Sequence, residues 1–67
     1  MTTAVLNALA LRAVMRRAER AGDDDTLCAA AARHAVEYAS LSDDEIGHYH
    51  RSAQGLTRVE ADERVGL

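Results

Sequence analysis

Apolar positions recur at helical spacing in three stretches of this chain, and two short polar breaks separate them. The first stretch predicts a helix over 3–21. At about 100° per residue, Ala4, Ala8, Ala10, Leu11, Val14, Met15 and Ala18 share one broad side, and Arg12, Arg16, Glu19 and Arg20 fall opposite. Val5, Leu6 and Leu9 lie on or beside the arginine side, one or two turns earlier. The first half of this helix is therefore apolar nearly all round, a pattern that goes with burial on more than one face. Thr2 or Thr3 can cap its start, and Gly22 can supply a left-handed residue after its end. Arg16, Arg17 and Arg20 complement the negative end of the helix dipole.

The run Gly22-Asp23-Asp24-Asp25-Thr26 ends the first helix and caps a second, predicted over 24–40. Its apolar face is wide and shallow: Leu27, Cys28, Ala31, Ala32, Ala35, Val36, Tyr38 and Ala39. Cys28 reads as a buried structural cysteine on that face. The strongest local signal is Leu41-Ser42-Asp43-Asp44-Glu45-Ile46. Ser42 and Glu45 form a capping box, and Leu41 and Ile46 occupy the two positions of a hydrophobic staple. The third helix is predicted over 43–54, with Ile46, Tyr49, Ala53 and Leu56 as its stripe. Gly55 predicts a break there. Thr57 and Glu60 then repeat the capping-box pattern and open a short fourth helix over 58–65. The competing reading is a third helix that continues to about Val65.

Length limits what this map can stabilise. The 67 residues form one small helical domain over 1–67. A chain of that size buries only about 60% of the surface its unfolded form exposes. Phe and Trp are absent, Tyr38 and Tyr49 are the only aromatics, and much of the 48% hydrophobic content is Ala. The single cysteine excludes an internal disulfide. Association is the remaining remedy for a small core. The expected fold is all-α: a compact three-helix arrangement, or an open helical hairpin completed by dimerisation. The absence of Pro agrees with helix, and no stretch alternates long enough for a strand.

Charge and segment patterns narrow the function classes. The net charge is −3, which argues against a dedicated nucleic-acid binder. All eight basic residues are Arg, a bias expected of GC-rich coding, as in actinobacteria or their phages. The apolar run 4–11 has neither a preceding basic side chain nor a clean cleavage region, so no leader is expected. No apolar stretch reaches membrane-spanning length. The expectation is a cytoplasmic protein.

Candidate chemistry is sparse. His48 and His50 are two apart and point about 200° apart on a helix, so they cannot bind one ion together, and Cys28 and His34, six apart, also diverge. Glu45 and His48 have the Glu-x-x-His spacing of carboxylate-bridged di-iron bundles, but Glu45 is committed to capping. No metal or cofactor is expected. Ser42 reads as a cap, no glycine-rich phosphate loop occurs, and no acid–base pair is evident, so the chain is not expected to be an enzyme. Arg12, Arg16 and Arg20, with Arg17 beside them, form a basic stripe suited to an acidic partner or a phosphate backbone. The helix start at Leu41–Ile46 is similar to the start of DNA-binding helices in response-regulator-type domains. The similarity ends there, because Arg58-Val59-Glu60-Ala61-Asp62-Glu63 is acidic where a recognition helix is basic. The expected function is a protein-interaction module, an adaptor or inhibitor docking on a larger protein or on a second copy. Its expected surface is Val5, Leu6, Leu9, Arg12, Arg16 and Arg20. The competing expectation is a nucleic-acid-binding regulator using Arg12, Arg16, Arg17 and Arg20.

Overall fold

The computed structural model describes the backbone of residues 2–64 and the side chains of residues 2–57. Three α-helices follow one another: α1 (Thr3–Ala21), α2 (Asp24–Ala39) and α3 (Asp43–Arg64). No strand occurs among the described residues. No helix among them is long and apolar enough to cross a membrane.

The caps explain the boundaries. Val5 N donates to the Thr2 hydroxyl at 3.3 Å, which satisfies one of the orphan donors at the start of α1. At the far end Gly22 takes φ 69°, ψ 23°. There Asp23 N donates to Ala18 O at 2.8 Å and Gly22 N donates to Glu19 O at 3.2 Å, the paired bonds of a Schellman end. Asp23 also opens the next helix. Its carboxylate accepts from Thr26 N at 3.1 Å and from the Thr26 hydroxyl at 2.6 Å. The capping box at α3 forms as its sequence requires: Glu45 N donates to Ser42 Oγ at 3.3 Å, and Ser42 N donates to Glu45 Oε1 at 2.9 Å. Leu41 is buried and Ile46 packs against the same cluster, so the staple is made as well.

Gly55 does not break the third helix. α3 runs unbroken from Asp43 to Arg64, and no separate fourth helix occurs among the described residues. The expected end at 54 fails because Thr57 is not a cap. Its hydroxyl donates back to Ala53 O at 3.0 Å, a bond made inside a continuing helix. Gly55 itself keeps a negative φ. Val65, at the end of the expected fourth helix, lies outside the described residues.

The core is small and lies between α1 and α3. Val5, Ala8, Leu41 and Tyr49 are buried together, with Ala4, Leu9, Tyr38, Ile46 and Ala53 packed around them. Among the described residues, Val5 is the only large side chain that is fully buried. α1 is the central helix and meets α2 along more of its length than it meets α3. The buried residues toward α2 are small, Ala18 and Ala30, on the facing helices. The body measures 35 × 29 × 14 Å, with a radius of gyration of 12.6 Å, against about 11 Å for a compact domain of this length.

Two expected faces are corrected. On α1 the covered arc spans about 220°, from Val14 through Ala18, Leu11 and Ala8 to Arg12, Val5 and Leu9. Ala10, assigned to the buried side, is exposed, while Arg12 and Arg16 are half-buried. A central helix has neighbours on two flanks, and long arginine stems can cover apolar surface while their heads reach out. On α2 the covered side is Leu27, Ala30, Ala31, His34 and Tyr38. Cys28, expected inside, is exposed with Ala32, Ala35, Val36 and Ala39. Only one flank of α2 meets α1, so the rest of its apolar belt faces outward.

Candidate interaction surface

The six residues expected to form one surface are divided by the fold. Val5 is 0% exposed and belongs to the core, so it is removed from any docking surface. Leu9 is half-buried against the same core cluster. Arg12 donates to the Thr57 hydroxyl across the α1–α3 contact, and Arg16 is half-buried on the same side. Leu6 and Arg20 remain exposed, Leu6 at 54%. The exposed strip of α1 is therefore Leu6, Ala10, Ala13, Arg17 and Arg20. These positions are spaced four, three, four and three, the spacing of a helix–helix seam. The hydrophobic pattern pointed to the wrong side because Ala4, Ala8 and Ala18 balance Ala10 and Ala13 around the helix. The exposure of the strip follows from which flanks α2 and α3 occupy.

A second cluster went unrecognised as a unit. His34 and Tyr38 from α2 meet Tyr49 and His50 from α3. His34 Nε2 and Tyr49 OH are 2.7 Å apart, and Tyr38 OH and His50 Nε2 are 2.8 Å apart; each hydrogen bond takes its donor from the histidine tautomer. Ring centroids of Tyr38 and Tyr49 lie 5.4 Å apart at 76°, and those of His34 and Tyr38 lie 6.0 Å apart at 22°. Such edge and offset contacts are favourable for aromatic pairs. The backbones of α2 and α3 otherwise scarcely approach, so these rings are the main bridge between them. Burial pushes the Tyr49 phenol up, the Arg12 charge opposes this, and Tyr38 adds to it. A sequence signal existed in the four-residue spacing of His34 and Tyr38 and the adjacency of Tyr49 and His50. The missing information was the register of α2 against α3.

The remaining candidates are placed as follows. Among the described residues no three of His, Cys, Asp and Glu are grouped to hold a metal. His48 and His50 are both exposed, and they diverge: Arg51 donates to His48 Nδ1 at 3.3 Å, whereas His50 turns to Tyr38. Glu45 is fully used, one oxygen by Ser42 and the other by the Thr2 hydroxyl. That second bond ties the start of α3 to the start of α1. Shallow depressions lie on the surface, about 280 Å³ beside Ala32, Arg33, Val36 and Glu37 and about 250 Å³ beside Val14, Arg17, Ala18, Ala21, Asp23 and Thr26. Both lie open to solvent and neither encloses a small molecule.

The two capping carboxylates give the fold an acid limit. Glu45 is held below its ordinary value of 4.5 by the Thr2 hydroxyl, then by the Ser42 N–H and hydroxyl. Asp23 is held below its ordinary value of 3.8 by the Thr26 hydroxyl, then by the Thr26 N–H. A carboxylate with a depressed folded value stabilises the fold above its unfolded value, and that contribution is lost as pH falls through the folded value. The thermal midpoint should stay level down to about pH 5 and drop below 4.5. Glu45→Gln retains a capping side chain but cannot titrate, so its acid drop should be shallower. A drop of the same depth in circular-dichroism melts would contradict this assignment.

Comparison with known proteins returned no match: no protein family, no curated protein and no solved structure corresponds to this chain.

Proposed function

We propose that this chain is a small protein-interaction module, an adaptor or inhibitor that acts through helix–helix contacts. The observation that carries this reading is the exposed seam on the central helix, Leu6, Ala10 and Ala13, next to a core with one fully buried large side chain among the described residues. Small residues on the open side of that helix permit close approach of another helix. A duplex-binding reading has less support, because Arg12 and Arg16 are half-buried, Arg12 bonded to Thr57 of α3, while Arg17 and Arg20 lie on the open strip.

The test is a paired capture experiment with tagged chain and tagged Leu6→Glu. Leu6 is exposed, so the substitution should preserve helicity by circular dichroism. Changing Leu9 as well would disturb the core and confuse the result. The wild-type chain should retain a protein, either itself or another, that Leu6→Glu loses. Equal recovery by both baits would overturn the proposal.

A further inference from the structure

We infer that the open strip of α1 pairs with the same strip of a second copy, the two α1 helices running antiparallel about a two-fold axis between Ala10 and Ala13. This rests on the interaction-module reading and names its partner. The strip is self-complementary in three respects. Its spacing is symmetric: a dyad at that point sets Ala10 against the partner's Ala13 and Leu6 against the partner's Arg17, whose stem can cover the exposed leucine. Its charge is also bipolar. The C-terminal end of α1 carries exposed Arg17 and Arg20, which contact no carboxylate among the described residues. The N-terminal end lies beside the acidic first turn of α3, because the Thr2 hydroxyl donates to Glu45. Asp43 and Asp44 are exposed in that turn.

The side of the helix agrees as well. Thr2 and Arg20 are eighteen residues apart, five full turns, so they share one edge of α1. A two-fold axis lying in the contact plane reverses the helix direction and keeps that edge on the same side. Arg20 of each copy is then brought to the acidic turn of the other. Opposite charges at both ends set the antiparallel register, whereas a parallel pairing would set arginine against arginine.

Light scattering after size exclusion, over a concentration series of the full chain, tests the pairing. The wild type should have twice its 7.2 kDa mass at the upper concentrations. Arg20→Glu and Asp44→Arg should each weaken the dimer at least roughly tenfold, since each change occurs twice in a two-fold assembly. Arg20→Glu combined with Asp44→Arg in one chain should recover it. Circular dichroism checks that every variant stays helical, and Leu6→Glu gives a monomeric reference. A wild type that remains monomeric throughout overturns the self-pairing. So does a dimer indifferent to Arg20→Glu and Leu6→Glu, or a double variant that fails to recover. A monomer that still captures a foreign protein through Leu6 would sink the self-pairing alone and leave the module reading in place.

Discussion

Tyr49→Ala should remove a large part of this chain's stability. Tyr49 is 6% exposed, closes the core over Val5, Ala8 and Leu41, and joins α3 to α2 through His34 and Tyr38. Truncating a buried aromatic to alanine costs about 3–5 kcal/mol. A domain of this length has a total stability of roughly 3–10 kcal/mol, so the loss consumes a large part of it. Tyr49→Phe separates the two roles. It keeps the ring and removes only the hydroxyl bonded to His34, at a cost of about 1 kcal/mol. Urea titrations followed by circular dichroism would measure both. If Tyr49→Ala melted within a few degrees of the wild type, the core described above would be wrong.

The neighbours Val5 and Leu6 offer the second large effect, because the fold gives them opposite fates. Val5→Ala should cost about 1.5–3 kcal/mol, from two buried methyl groups at about 0.8 kcal/mol each and the cavity they leave. Leu6→Ala, at 54% exposure, should stay within about 0.5 kcal/mol of the wild type when measured at concentrations low enough to keep the chain monomeric. The larger side chain thus matters less to folding than the smaller one beside it. Equal costs would mean that α1 is rotated about its axis from the orientation described here.

Much of the helix map was legible before the structure, and the reason is local chemistry. Gly22, Asp23 and the Ser42–Glu45 box act within four residues of themselves, so the sequence states them directly. Gly55 shows the limit of that reading. Its neighbour Thr57 has the composition of a cap, but its hydroxyl turns to Ala53 and accepts from Arg12, a residue 45 positions away. The buried face of α1 is not encoded by its own spacing, for a related reason. Alanine lies all round that helix, and only the positions of α2 and α3 decide that Val5 goes inside and Ala10 goes outside. Cys28 is exposed because α2 has one covered flank, a fact about helix arrangement and not about cysteine. Of the residues expected at a surface, Leu6 and Arg20 are exposed and Val5 is buried in the core. The His34–Tyr49 and Tyr38–His50 pairs depend on the register of two helices, which no spacing within either helix encodes.

The ring cluster also makes the molecule its own optical probe. Tyr38 and Tyr49 are the only tyrosines and tryptophan is absent, so tyrosine light absorption and emission arise wholly at the α2–α3 bridge. Far-ultraviolet dichroism, by contrast, reports backbone helix throughout. A chain that melts as one unit would lose both signals together. A near-ultraviolet signal that fades first would time the parting of α3 from α2 while the helices themselves persist, with no label attached.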